Sequence, residues 1–118
     1  MYLFRMKKVL FLLCFGLFVL LACHKKNDLD HIDCSKINSN YTSSIKPIIE
    51  GHCLSSGCHN SGSVNGDFTT YEGLKAKADN GTMDSRVIKD KSMPPSGALH
   101  IDNLKKIKCW LSSGALNN

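Results

Sequence analysis

The stretch KPIIEGHCLSSGCHNSGS, residues 46–63, decides how this 118-residue chain is organised. An apolar face at helical spacing begins just before this stretch, at Ile45, and continues in its first half through Ile48 and Ile49. Its second half is rich in Gly, Ser and Asn and predicts a loop. Cys53 and Cys58 lie where the two halves meet. The sequence therefore predicts a helix, capped at Ser43 or Ser44, that runs into a thiol-bearing loop.

Three more helices are predicted downstream of this loop. Thr69 or Thr70 is expected to cap a helix over 71–78, which ends before Asn80 and Gly81. A short helix is expected over 85–89. The last helix is expected over 101–113, where apolar residues recur at three- and four-residue steps before Gly114. We find no alternating strand pattern, so the predicted fold class is all-α.

The residues Cys53, Cys58 and His59 carry the chemistry of the loop. Two thiols followed directly by a histidine are typical of covalent haem attachment, in which the thiols add across the vinyl groups and the histidine ligates iron. The usual spacing between the cysteines is two residues, and here it is four. A disulfide between the two cysteines, or a zinc site that includes His59, is an open alternative at this point.

Met93 is a candidate for a second iron ligand. It stands directly before Pro94 and Pro95, which predict a stiff loop, and a thioether sulfur held rigidly can ligate haem iron. Simple core filling is the commonest role of methionine and is the alternative for Met93. His52 or His100 could take its place and give a haem with two histidine ligands.

Residues 41–115 resemble a class I cytochrome c domain that has a four-residue spacer in its attachment motif. The matching pieces are KPIIEGHCLSSGCHNSGS, GDFTTYEGLKAKADNG, MPPSG and IKCWLSSGAL. The resemblance implies about four helices wrapped around one haem c, which is held by Cys53 and Cys58 with His59 and Met93 as axial ligands. It also implies single-electron transfer rather than catalysis, redox proteins as partners, and a monomer or a subunit of a redox complex.

The same resemblance implies a disulfide between Cys34 and Cys109. Cys34 lies just before the first predicted helix and Cys109 lies within the last, and the implied fold packs these two helices across each other. Paired cysteines are common in exported proteins. We therefore expect these two cysteines to be oxidised.

The N-terminus predicts export and lipidation. Basic residues precede a thirteen-residue apolar run at 9–21, and Leu20-Leu21-Ala22-Cys23 looks like the lipobox of bacterial lipoproteins. We expect a signal peptide at 1–22, a lipidated tether at 23–39 anchored through Cys23, and a domain at 40–118. The location would be the periplasmic or cell-surface face of a bacterial membrane. A transmembrane anchor or a plain signal peptide is the alternative.

The charge balance gives no indication of nucleic-acid binding. The whole chain carries fifteen basic and ten acidic residues, but three of the basic residues precede Cys23 and leave with the leader. The remaining twelve basic and ten acidic residues are typical of an ordinary surface of mixed charge. Two other function classes stay open: a haem-free, disulfide-linked surface binding module, and a haem sensor or enzyme with an open sixth iron site.

Overall fold

The structure is a computed structural model that describes residues 28–118. The predicted signal peptide at 1–22 and the predicted lipidation site Cys23 lie outside the described residues. Within the described part the chain forms helices and turns and no strand, so the predicted all-α class is confirmed there. No helix in this part is long and apolar enough to cross a membrane.

Four helical segments follow a 3-10 turn at Cys34–Lys36. The first segment opens with a π-helical stretch and continues as helix α1, and a second π-helical stretch forms the third segment. Their bounds are Tyr41–Ile45 with α1 at Lys46–His52, α2 at Tyr71–Asp79, the π-helical turn at Asp84–Lys89, and α3 at Ile101–Ser112. Helix α3 packs against both π-helical stretches.

The first residues of two helical segments can be compared with the caps predicted from the sequence. The hydroxyl of Thr70 accepts a hydrogen bond from the Gly73 N–H at 3.2 Å, which confirms the predicted cap of α2. The predicted cap at Ser43 or Ser44 is wrong, because the first helical segment already begins at Tyr41. The Tyr41 N–H there donates to the side-chain amide oxygen of Asn118 at 2.9 Å, a partner at the far end of the chain.

The core is centred on Trp110, whose side chain is fully buried together with those of Ile45 and Leu74. The Trp110 ring stacks on Tyr41 at 6.0 Å between ring centroids, and its Nε1–H donates to the Leu116 carbonyl at 2.9 Å. Because every described buried side-chain N or O atom has a partner, this core bears no desolvation penalty from orphaned polar groups.

The predicted disulfide between Cys34 and Cys109 is present, with 5.4 Å between the two Cα atoms. It joins the exposed 3-10 turn to the buried face of α3. Because the two cysteines are 75 residues apart in the chain, the bridge closes a loop that spans almost the whole described domain. It is therefore the main covalent constraint on how the first and last elements meet.

Replacing Gly73 with alanine is expected to lower the free energy of unfolding by about 1–3 kcal/mol, the range for overpacking. A Cβ at this position would clash with the Asp67 carbonyl oxygen, so α2 or the loop before it must shift. Gly51→Ala is the matched control: it lies in α1 with open space around the added methyl group, and should stabilise by about 0.5–1 kcal/mol. Urea unfolding followed by circular dichroism measures both, and equal stabilities of the two variants would contradict the close contact.

Candidate functional site

An apolar cavity of about 410 Å³ lies beside the core, open to solvent on one side. Its walls come from the end of α1, the loop after it, the third helical segment and the loop before α3. The lining residues are Ile49, His52, Cys53, Gly57, Cys58, His59, Asn65, Phe68, Lys77, Thr82, Met83, Arg86, Val87, Met93, Pro94, Pro95, Leu99 and Ile107. Four predicted site residues are thus brought to one cavity: Cys53, Cys58, His59 and Met93.

Both cysteines of the loop are unpaired and half-buried. Cys53 ends α1, where its N–H donates to the Ile49 carbonyl at 2.8 Å, and its own carbonyl accepts the His59 N–H at 3.1 Å. This second bond closes residues 53–59 into a loop, and Cys53, Cys58 and His59 all reach the cavity wall. The alternative of a Cys53–Cys58 disulfide is absent from the structure.

Burial raises the pKa of the Cys53 thiol to about 11, and the nearby Cys58 adds to the shift. Burial disfavours the charged thiolate, so the neutral thiol is the stable form in the folded chain. The folded pKa lies above the value of 9.0 for a free thiol. Keeping this thiol neutral therefore contributes to the free energy of unfolding below about pH 9, and the contribution is lost as the pH rises towards about 11.

Alkylation of Cys53 by iodoacetamide at pH 8 is expected to be about a hundredfold slower in the folded chain than in urea. A pKa near 11 leaves only about 0.1% thiolate at that pH, against about 10% for a pKa of 9.0, and the thiolate is the reactive form. A Cys14→Ser/Cys23→Ser/Cys58→Ser chain leaves Cys53 as the only cysteine outside the Cys34–Cys109 bridge, and the rate is followed by intact mass. A folded rate equal to the unfolded rate would show that this thiol is solvent-exposed.

His59 is held in one orientation by two contacts. Its Nδ1 lies 3.2 Å from the Gly66 carbonyl oxygen, and its ring stacks on Phe68 with 3.9 Å between centroids and 1° between planes. A carbonyl can only accept a hydrogen bond, so Nδ1 carries the proton in this arrangement. Nε2 is then left with its lone pair free to bind a metal or accept a hydrogen bond.

Met93 lies on the cavity wall and is half-buried. The Arg86 carbonyl accepts the N–H groups of both Ser92 and Met93, at 2.9 and 3.1 Å. These two bonds tie the loop of Met93 to the third helical segment. His52 also lies on the cavity wall, whereas His100 does not: its Nδ1 accepts the Asp102 N–H at the start of α3. His100 thus lies apart from the cavity that Cys53, Cys58, His59 and Met93 share.

Lys77 and Arg86 line the cavity, and the sequence had given no reason to single them out. Lys77 follows the buried Leu74 by three residues in α2, and residues three apart share a helix face. That spacing is the signal that could have placed Lys77 towards the interior. Arg86 has no comparable signal, because its neighbours Val87 and Ile88 are the buried residues of that turn.

Residues 28–118 contain no group of three or more His, Cys, Asp and Glu side chains placed to hold a metal ion. A structural zinc site normally takes four such ligands and a catalytic site three. In this part of the chain Cys53, Cys58 and His59 are therefore not placed as a group that could hold a zinc ion.

No family model, no curated protein and no solved structure shows significant similarity to this chain. Together with the lack of a protein metal cluster among the described residues, this contradicts the predicted resemblance to class I cytochrome c domains. The likeness rested on short pieces and on a cysteine spacing longer than the usual one, and such pieces can recur in unrelated helical chains.

Proposed function

We propose that this chain is a small, disulfide-closed binding module, and that it holds a flat, apolar ligand in the cavity described above. The observation that supports this most is the cavity itself. Protein interiors are close-packed and rarely contain voids larger than a water molecule, yet about 410 Å³ stands open beside a fully formed core. That size lies within the range of small-molecule sites.

The walls of the cavity favour an apolar ligand. Met83, Val87, Leu99 and Ile107 are all buried or nearly so and all line it. Burying a ligand against such side chains is favourable by about 25 cal/mol for each Å² of apolar surface removed from water. The planar pair of His59 and Phe68 adds an aromatic surface on which a flat ring can stack.

The experiment is a binding titration of 2-naphthamide, a flat neutral probe, to the full-length chain in detergent, with a detergent blank. The two cavity thiols supply the control. Capping them with a benzyl methanethiosulfonate places an aromatic group in the cavity, whereas capping with the methyl reagent fills little of it. We expect binding to the uncapped and methyl-capped chains and none to the benzyl-capped chain. Equal binding to both capped chains, or no binding at all, would refute the proposed site.

A second candidate makes the ligand haem and the function single-electron transfer. The hydrogen bond of His59 specifically favours it, because metal-bound histidines usually donate their other ring N–H to a carbonyl or carboxylate. The donor set also fits: two unpaired thiols for thioether bonds, a free Nε2 on His59, and the sulfur of Met93 on the same cavity. Haem iron takes four ligands from its porphyrin, so the protein needs to supply only one or two.

The roles of the chain's residues in this second candidate are distinct. Cys53 and Cys58 would hold the haem covalently, and His59 and Met93 would ligate its iron. Haem, when bound, supplies one-electron exchange between ferric and ferrous iron. The buried apolar walls would exclude water from it, and Met93 ligation would favour the reduced form. If Met93 did not bind iron, the open position would suit a sensor or an enzyme.

An absorption spectrum separates the two candidates. The full chain is made in cells that mature c-type haem proteins, then purified, denatured and compared with Cys53→Ser/Cys58→Ser. Haem that stays with the native chain on denaturation, and is lost from the variant, supports electron transfer. A Met93→Leu chain then shows whether Met93 ligates the iron, because loss of the Met93 sulfur should remove the far-red sulfur-to-iron band. If the native chain carried no haem, only the first candidate, the binding module, would remain.

We also propose that the module is exported and anchored to a bacterial membrane through Cys23. The support is the lipobox-like stretch Leu20-Leu21-Ala22-Cys23 after the apolar run. Two or more acyl chains would make a stable anchor. Redox proteins at the same membrane would be the partners if the ligand is haem.

A further inference from the structure

We propose that the ligand of this cavity carries an acidic group, a carboxylate or a chemical equivalent, and that Lys77 and Arg86 bind it. This inference rests on the proposed function, since it presupposes that the cavity holds a ligand. It adds the chemical class: a flat apolar body with at least one anionic substituent. Haem, with its two propionates, belongs to this class, as do simpler aromatic acids.

The charges on the cavity wall are of one sign. Lys77 and Arg86 line it, and no Asp or Glu does. A cleft with low-dielectric walls and charges of a single sign concentrates ligands of the opposite charge. Neutral Asn65 and Thr82 complete the polar part of the lining, and both can donate further hydrogen bonds to an anion.

The acidic residues nearest in sequence are occupied elsewhere. Asp84 pairs with Lys89 at 2.8 Å and with Lys108 at 3.0 Å, and Asp79 pairs with Lys75. Among residues 28–118, Lys77 and Arg86 make no ion pair, whereas Lys75, Lys89 and Lys108 pair with these two acidic residues. Lys77 and Arg86 thus line an apolar cavity without an acidic partner in the described part of the chain. An anionic ligand would supply that partner.

Close packing places the Lys77 side chain at the cavity, and hydrogen bonds fix the main chain of Arg86 beside it. The Lys77 stem lies over Gly66, with its Cε 2.9 Å from where a side chain at that position would begin, so glycine leaves the room that Lys77 occupies. Arg86 is fixed through its carbonyl, which accepts the Ser92 and Met93 N–H groups. Arg86 is exposed and Lys77 half-buried, which places the acidic end of a ligand towards the solvent side and its apolar body inside.

The test compares two probes of equal shape, 2-naphthoate and 2-naphthamide, on the full-length chain in detergent by calorimetric titration at neutral pH. The carboxylate is charged there and the amide is not. We expect 2-naphthoate to bind about tenfold more tightly, because charge-assisted hydrogen bonds are stronger than neutral ones. In Lys77→Gln/Arg86→Gln the preference for 2-naphthoate over 2-naphthamide should fall to about one. Lys105→Gln/Lys106→Gln, whose side chains do not line the cavity, should keep the preference.

The outcomes separate this inference from the proposed function. If both probes bind equally to the native chain, or if the double variant keeps the tenfold preference, the anionic-ligand inference is overturned while the binding site stands. If neither probe binds, both proposals fail together. A preference that vanishes in the Lys77/Arg86 variant and persists in the Lys105/Lys106 variant supports the inference.

Discussion

Cys34→Ser is expected to lower the free energy of unfolding by about 4–5 kcal/mol under non-reducing conditions. In the chain-entropy account, the stabilisation by a disulfide grows with the loop it closes, and this bridge closes 75 residues. Small domains bury a limited core, so a loss of this size is a large part of a total of about 5–15 kcal/mol. Guanidinium unfolding followed by tryptophan fluorescence measures it, because Trp110 is the single tryptophan.

Cys58→Ser is the matched control for this substitution. It also removes one cysteine sulfur, but from a thiol that is unpaired, so its cost should stay below about 1 kcal/mol, as for most substitutions outside packed cores. A Cys34→Ser chain as stable as the control would mean that the bridge adds nothing to the folded state. It would also remove the disulfide from the account of how this small domain stays folded.

Trp110→Ala is expected to cost about 3–5 kcal/mol, the range for emptying an aromatic position in a packed core. The side chain is fully buried, it stacks on Tyr41, and its Nε1–H satisfies the Leu116 carbonyl. Trp110→Phe keeps much of the apolar contact and loses the hydrogen bond, so it should cost about half as much. Circular dichroism melts in a urea series give the values, since these variants lack the fluorescent reporter.

Val64→Ala is the control for the Trp110 variants, because Val64 is 99% exposed and its truncation should change stability by less than about 0.5 kcal/mol. If Trp110→Ala unfolded at the same urea concentration as this control, Trp110 would not be the centre of the core. Another contact would then have to hold residues 115–118 in place of the hydrogen bond from Trp110 to the Leu116 carbonyl.

The helices could be predicted because their signals are local. In α3, apolar residues at 101, 104, 107 and 111 recur at helical spacing, and Thr70 caps α2 as its position suggested. The start of the first segment could not be predicted, because the groups that satisfy Tyr41 and Thr42 lie on Asn118. A bond between the two ends of a chain leaves no pattern within either end.

The candidate site was predicted in part for a related reason. Cys53, Cys58 and His59 are close in sequence and were expected together, and Met93 was singled out by the prolines after it. Lys77 and Arg86 were missed, since a charged residue on a helix usually faces water and only the tertiary fold shows that these two line a cavity. The family resemblance failed because short motifs do not establish descent without similarity along the chain.

The most direct test of the central claim, that the thiol-lined cavity is a ligand site, is nuclear magnetic resonance of methionine methyl groups. Met83 and Met93 both line the cavity, so their ¹³C-labelled methyl signals report on it in the full-length chain. We expect 2-naphthamide to shift both signals to saturation, and benzyl capping of Cys53 and Cys58 to abolish the shifts. Signals that stay in place while the probe binds, or that shift equally in the benzyl-capped chain, would contradict it.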